Sequence, residues 1–359
     1  MDIEQFDYHL PPELIATHPA DRRELSRLLV LDRSTGQMAH RSFAELTDLL
    51  RPGDCLVIND SRVIPARLEA WRTRGGKCDL LLLEPRHGTT WEVMVRPARK
   101  IRPGDILSLP GDAAVAQVLA ETGGRTRLVR FKIPAGGGDA ETTLLAYLEH
   151  HGHVPLPPYI LQQRKERGES SRDTDEDRVR YQTVYAQPPG SVAAPTAGLH
   201  FTPELMSRIR GNGVELRRVT LHVGLGTFTP VEFGRVETHR MHAERYSIQP
   251  EEAVAIEAAR RDFSRRVLAV GTTTVRALES CFARHGCICA DAAATDLFIY
   301  PGFRFGVIQA MITNFHLPRS SLLLMVAAFA GRDRILAAYR EAIRRRYRFY
   351  SYGDAMFIA

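Results

Sequence analysis

Between Ala66 and Pro155 the chain repeats one texture six times: the short strand-like runs ARLEAW, CDLLLLEP, TWEVMVRPA, DILSLP, AVAQVLAE and TRLVRFKI follow one another at turn-like intervals. Gly75-Gly76, Pro103-Gly104, Pro110-Gly111 and Gly123-Gly124 punctuate them. Short strands at this spacing, with no long helix between them, cannot bury their apolar faces singly. They have to curl into a small β-barrel or stack as a sandwich.

On either side the texture is different. DCLVINDSRVI, after the break at Pro52-Gly53, reads as a short buried strand running into a polar turn. Beyond the segment come a helix at Glu204–Gly211, the strand VELRRVTLHVG, a helix over 250–262, the strand RVLAVG, the helix TVRALESCFARHG, a strand at ATDLFIY and a C-terminal helix near 333–347. This alternation is an α/β pattern. The expected architecture is mixed α/β (α+β), with a main domain assembled from residues 1–65 and 156–359 and a small barrel, 66–155, inserted into it. A chain of 359 residues suits about two domains. Residues 162–179 are almost wholly polar and lack an apolar period, so a mobile solvated loop is expected there.

Composition excludes several classes. With 44% hydrophobic and 25% charged residues, the bulk of the chain is neither disordered nor collagenous nor a coiled coil. The acidic start MDIEQFDYHLPPE is no signal peptide, and the apolar stretch Ser320–Gly331 falls short of the roughly 20 residues a bilayer requires. Five cysteines without a CxxC pair support neither a disulfide framework nor a usual zinc spacing. A reduced, cytoplasmic protein with no metal and no membrane contact is expected. Lys+Arg number 48 against 42 Asp+Glu, and the only lysines are Lys77, Lys100, Lys132 and Lys165. Arginine suits phosphate and base stacking, so this balance permits a nucleic-acid partner without demanding one. Seven arginines crowd residues 332–348, where Ile335, Tyr339 and Ile343 form an apolar stripe that leaves Arg340, Arg344, Arg345 and Arg348 outward. Such a run is either a solvated face or a grip on RNA phosphates.

Five constellations could carry chemistry. In VLAVGTTTVRALE a strand ends at Gly271, and Thr272, Thr273, Thr274 and Arg276 begin a helix whose free amides suit phosphate or carboxylate; the alternative is an N-cap and a surface arginine. GSVAAPTAGLHFT is too rich in small residues to be core, and it offers Thr196, Gly198 and His200 to a ligand. LHVGLGTFTP follows a strand and places His222, Gly224 and Gly226 at a backbone-lined pocket. It has no third glycine and no ribose-binding acid, so a Rossmann reading is rejected. In THRMHAERY, strand alternation puts His242 and Glu244 on one face, as an acid/base pair would need. Finally, DLFIYPGFRFGVIQAMITNFHLP carries Tyr300, Asn314 and His316 to a strand–helix junction capped by Ser320 or Ser321, and the tail YSYGDAMFI presents Asp354 in a turn.

Taken together, FDYHLPPELIATHPADRRELSRLLVLDR, GDCLVINDSRVIPARL, YQTVYA, GSVAAPTAGLHFT, LHVGLGTFTPV, VGTTTVRALES, TDLFIYPG, ITNFHLPRSSLLLMVAAFAG and YRFYSYGDAMFI make the chain resemble the S-adenosylmethionine:tRNA ribosyltransferase-isomerase family of queuosine biosynthesis across its whole length. Ser61, where that family more often has Thr, the Cys-rich stretch 281–289 and the charged 162–179 segment depart from it. The resemblance implies a main α/β domain with an inserted β-barrel. It also implies an enzyme that uses S-adenosylmethionine as a ribosyl donor, with no further cofactor, on tRNA carrying 7-aminomethyl-7-deazaguanine at the wobble position. The implied product is epoxyqueuosine-tRNA, with adenine and methionine released, and a monomer is expected. On that chemistry His200, His222, His242, Glu244 and His316 are the acid/base candidates, with His200 and His316 favoured for their polar loops. Thr272, Thr273, Thr274 and Arg276 would clamp an anion. Asn59, Asp60, Arg62 and Asn314 would recognise base or ribose, and the C-terminal arginines would hold tRNA.

Two rivals remain at this point. A methyltransferase would show a glycine-rich loop after its first strand and an acidic ribose ligand, and neither is present in this chain. A non-catalytic RNA-binding protein would use the barrel and the arginine-rich helix without turnover.

Overall fold

The computed structural model of the chain describes residues 1–111, 113–134, 139–170, 172–224 and 235–359. Its strands are β1 (Arg27–Leu31), β2 (Met38–Ser42), β3 (Cys55–Asn59), β4 (Arg62–Val63), β5 (Arg67–Arg72), β6 (Lys77–His87), β7 (Thr90–Arg96), β8 (Ile106–Ser108), β9 (Val115–Gly123) and β10 (Thr126–Lys132). They continue as β11 (Pro189–Ser191), β12 (Glu215–Leu221), β13 (Glu244–Ile248), β14 (Val267–Val270), β15 (Asp291–Thr295), β16 (Ala310–Asn314) and β17 (Ala355–Ile358). The helices are α1 (Ala140–His151), α2 (Pro158–Glu166), α3 (Asp175–Arg180), α4 (Pro203–Gly211), α5 (Pro250–Arg261), α6 (Thr272–His285), α7 (Ser321–Ala330) and α8 (Arg332–Arg344). Among the described residues no helix is long and apolar enough to cross a membrane.

The mixed α/β class is borne out, and so is the closed barrel. The six runs read from the sequence are β5–β10, closed in the order β10-β7-β6-β5-β8-β9. Their inward positions, among them Leu68, Leu80, Val93, Leu107, Val118 and Val129, fill the interior. Helix α1 adds Leu144, Tyr147 and Leu148 to this core. That helix corrects the expectation of a segment without one. Asp139 caps its first turn by accepting from the amides of Glu141 and Thr142.

The main sheet runs β15-β13-β12-β3-β14-β16-β17-β1-β2. Its centre, β12, β3, β14 and β16, is parallel. Alternation along β3 sends Cys55 and Val57 into the core under α5–α8, and Leu56 and Ile58 into the core under α4. A strand buried on both faces reads as a continuous apolar run, as CLVIN does. The last strand, β17, comes from the tail read only as a turn, and it slots between β16 and β1. The strand expected at ATDLFIY lies upstream instead: β15 is DAAAT, and Thr295 ends it by accepting the Leu297 amide at its hydroxyl.

The polar segment 162–179 carries the end of α2 and most of α3. Arg164 and Asp177, both buried, lock the two helices together through contacts of 2.6 and 2.8 Å, and the Tyr352 hydroxyl donates to the same carboxylate at 2.8 Å. An ion pair, invisible to apolar periodicity, orders what the composition presents as loop.

Candidate functional site

The parallel strands β3, β12, β14 and β16 end at one edge of the sheet, the usual place for ligands in open α/β folds. Asn59, the last residue of β3, ties that edge together. Its Nδ2 donates to the Leu221 carbonyl (2.9 Å) and to the Thr273 hydroxyl (3.2 Å), while its Oδ1 accepts from the amides of Leu221 (3.0 Å) and Ser61 (3.1 Å). One amide thus fixes the end of β12 and the start of α6. Next to it Asp60 accepts from the Thr220 hydroxyl at 2.7 Å, and burial pushes its carboxyl above the usual carboxylate range.

Where β12 and β13 face the barrel there is a cleft of about 380 Å³. From the sheet side it is lined by Gly190, His222, Gly224, His242, Glu244 and Arg245, and from the barrel by Leu83, Glu84, Glu92, Met94, Thr122, Gly123 and Thr126. This volume is within the range of small-molecule sites. The two ends of the LHVGLG and THRMHAERY motifs therefore converge, although some twenty residues separate them. Gly226 lies outside the described residues.

Glu244 and Arg276 form a buried ion pair, only 4% and 3% exposed at the side chain. The other carboxylate oxygen of Glu244 accepts the Gly224 amide at 2.8 Å. Arg276 also donates to the carbonyls of Leu297 (3.2 Å) and Thr295 (3.1 Å). The guanidinium expected to clamp an anion is thus spent on Glu244. Thr274 donates to the Val270 carbonyl at 2.7 Å, and Thr272 lies buried beside it in the first turn of α6.

His222 is the uncommitted imidazole. Among the described residues its ring makes no hydrogen bond, and its Nδ1 is buried against Gly190 without a partner. Burial, with Arg245 nearby, lowers its pKa to about 4, so it stays neutral at physiological pH with a lone pair to offer. His242 lines the same cleft and is exposed.

His200 and His316 stand in enclosed surroundings. The Ser26 hydroxyl donates to the Arg23 carbonyl (3.1 Å), so it accepts from His200 Nδ1 (2.9 Å); Nε2 then accepts from Asn314 Nδ2 (3.3 Å). Burial first, then Arg348 and Arg23, lowers the His200 pKa to about 3. His316 Nε2 meets the Thr313 hydroxyl at 2.7 Å, and burial lowers its pKa to about 3 as well. The Ser320 hydroxyl caps α7 just beyond, accepting the Leu323 amide. Asn314 also donates to the Tyr350 carbonyl at 3.1 Å, and its buried Oδ1 has no partner among the described residues.

The other candidates are scattered. Asp354 accepts from the Arg27 amide (3.0 Å), the Arg27 guanidinium (2.9 Å) and the Arg348 amide (2.8 Å), holding the tail to β1. Arg62 pairs with Glu149 on α1, and Tyr300 packs on Phe298 at 5.2 Å between centroids with the rings tilted by 45°. Gly198 and Thr196 lie in the turn before α4, where a Cβ at Gly198 would strike the Tyr185 hydroxyl. On α8 Arg340 is exposed and Arg344 pairs with Glu341, as does Arg345 at the C-cap, while Arg348 beyond the helix lies beside Asp354. Sequence reading missed Glu84 and Glu92, because nothing in β6 or β7 alone says which outward positions face another domain.

A cleft between the main sheet and the barrel, with a neutral imidazole and a buried ion pair in its wall, marks a mixed α/β protein with a candidate active site. The profile of the family described as "Queuosine biosynthesis protein" matches residues 3–358, and the chain belongs to that family. It is 49% identical over 359 residues to the S-adenosylmethionine:tRNA ribosyltransferase-isomerase of Moorella thermoacetica, and 50% identical over 361 residues to that of Geobacter sulfurreducens, covering all of each chain. A solved structure, the S-adenosylmethionine tRNA ribosyltransferase of Thermotoga maritima, is 37% identical, covers 99% of this chain and 100% of its own, and superimposes with a TM-score of 0.55.

Proposed function

We propose that the chain transfers and isomerises the ribosyl moiety of S-adenosylmethionine onto 7-aminomethyl-7-deazaguanine at the wobble position of tRNA, in the cytoplasm, giving epoxyqueuosine-tRNA and releasing adenine and methionine. The full-length likeness to enzymes named for that reaction supports the substrate pair. One observation carries the site: the His222 ring, without a hydrogen bond among the described residues, lines a cleft whose walls bear Glu84, Glu92 and Glu244.

The sulfonium of the donor withdraws electrons from the adjacent 5′ carbon and acidifies its C–H bond. In this reading His222 takes that proton, and the carbanion left behind opens the sugar and expels adenine. The amine of the modified base attacks the rearranging sugar, the epoxide closes and methionine leaves with the sulfur electron pair. Of the cleft's carboxylates, Glu84 and Glu92 share Arg86 and Glu244 is paired with Arg276, so the wall that receives the donor carries compensated charge. Arg276 is taken up by Glu244, so the methionine carboxylate falls to the first-turn amides of α6, which lack intrahelical acceptors. A positioned base is typically worth about 10²–10⁴ in rate, and holding two large substrates together supplies much of the rest.

The test is release of free adenine from S-adenosylmethionine, dependent on tRNA bearing the aminomethyl base. A product RNA heavier by one methyl group would instead show methyl transfer, and absence of adenine would reject turnover.

A further inference from the structure

The barrel carries the chain's charge imbalance. Residues 67–132 hold 13 Lys+Arg against 7 Asp+Glu, a net +6 equal to that of all 359 residues. Part of it is neutralised in place, as where Arg86 meets Glu84 and Lys77 meets Glu69. At the β5–β6 turn and the β7–β8 connection it is not. There Arg72, Arg74, Arg99, Lys100 and Arg102 surround a concavity of about 530 Å³ that contains one carboxylate, Asp105. Asp105 is occupied by the Arg102 amide at 2.8 Å. Among the described residues none of the five cations makes a salt bridge, and Arg72 Nε is buried with no partner. By contrast Arg344 and Arg345 on α8 share Glu341.

Beside the concavity, Trp71 faces outward from β5, 42% exposed, and Ile106 faces outward from β8. An unpaired cation cluster flanked by an exposed indole is the combination that holds nucleic acid: charges for phosphates, a ring for a base or sugar face. Its place along the strands adds to this. The cleft takes the later part of β6 and the start of β7, whereas the concavity lies before β6 begins and after β7 ends. The two sites share no strand, the cleft drawing on β6, β7, β9 and β10 and the concavity on β5, β8 and the turns beside them, so phosphates held at the concavity belong to RNA away from the cleft.

We propose that this concavity is a docking surface for the phosphate backbone of the RNA substrate, away from the reacting nucleotide, with Trp71 as its aromatic contact. The inference rests on the tRNA reading above and adds a role for the inserted barrel.

The experiment compares two full-length triple variants. Arg99→Gln/Lys100→Gln/Arg102→Gln removes three charges at the concavity; Arg125→Gln/Arg130→Gln/Lys132→Gln removes three elsewhere on the barrel. Each cation–phosphate pairing removed flattens the log–log salt dependence of tRNA affinity by about 0.7–0.9. The concavity variant should therefore lose about 2–3 from its slope and at least tenfold in affinity, with the KM for S-adenosylmethionine unchanged. Binding should also quench tryptophan fluorescence in the wild type and not in Trp71→Phe, because the other indole, Trp91, is buried in the barrel. Equal losses in both triple variants, or an unchanged slope, overturn the proposal. Normal adenine release with an unchanged slope overturns the docking surface alone; a slope difference without any adenine release overturns the catalytic reading and upholds the surface.

Discussion

Glu244 and Arg276 meet in the wall of the cleft with side chains 4% and 3% exposed, joining the start of β13 to the first turns of α6. Neither motif announces the other in sequence, yet each neutralises the charge that would make the other's burial prohibitive. The pair also fixes the Gly224 amide, three residues beyond the end of β12.

Removing one partner should therefore be strongly destabilising. Arg276→Met strands a buried carboxylate and should cost about 3–5 kcal/mol of stability in urea unfolding. Adding Glu244→Gln should restore part of that, because the stranded charge is gone. A cost below about 1 kcal/mol for Arg276→Met, or no recovery in the double variant, contradicts the pairing.

His222 sets the acid limb of activity. A base must be deprotonated to act, and burial lowers this ring to about 4 from an ordinary 6.5. The rate constant kcat/KM should accordingly hold as pH falls through 6.5 and drop only near 4. His222→Gln should lower kcat by about 10²–10⁴ with binding of S-adenosylmethionine retained. A kcat within tenfold of wild type would remove His222 from the reaction.

Gly190 tests the placement of that ring. Its φ is +141°, and a Cβ there would lie 2.9 Å from His222 Nδ1. Gly190→Ala should lower kcat much more than it raises KM, while costing about 1 kcal/mol or more in stability from the strained backbone. Unchanged kcat would mean the ring has room to move without consequence.

Acid stability follows from His200 and His316. Both are held neutral in the folded protein with values near 3, against 6.5 for a free imidazole. Above pH 6.5 neither state binds the proton, so their contribution to stability is complete. As pH falls from 6.5 toward 3 the unfolded chain takes up protons that the fold refuses, and stability declines. The urea midpoint should drop over that window, less steeply in His200→Asn. Parallel profiles for variant and wild type would contradict the assignment.

The α8 arginines give a charge test of their own. Arg344→Gln/Arg345→Gln releases Glu341 on an exposed face, and thermal stability should stay the same within error. If these side chains hold tRNA phosphates, the salt slope of binding flattens by about 0.7–0.9 for each phosphate released. An unchanged slope returns α8 to the status of a solvated face.

Much of the fold was legible because its signals are local. The six barrel strands announce themselves through turn glycines and short apolar runs, and α4, α5, α6 and α8 through apolar spacing and Pro or Gly at their ends. What escaped depends on distant partners. The strand β17 is recognisable only once β16 and β1 flank it, and α2 and α3 are tied to one another by Arg164 meeting Asp177. The site divides the same way. His222, His242 and Glu244 were readable as candidates, but nothing in their motifs says that they share a cleft, nor that Glu84 and Glu92 close it from the barrel. Nor does sequence separate His222, with no ring nitrogen bonded among the described residues, from His200, which is held on both sides by Ser26 and Asn314.

The central claim is that a side chain of this cleft removes a proton from the carbon next to the donor's sulfur. Mass spectrometry of the modified nucleoside made from S-adenosylmethionine deuterated at both 5′ positions tests it directly. The account predicts that part of the product has lost one deuteron to solvent. A product population that keeps both deuterons throughout would contradict it.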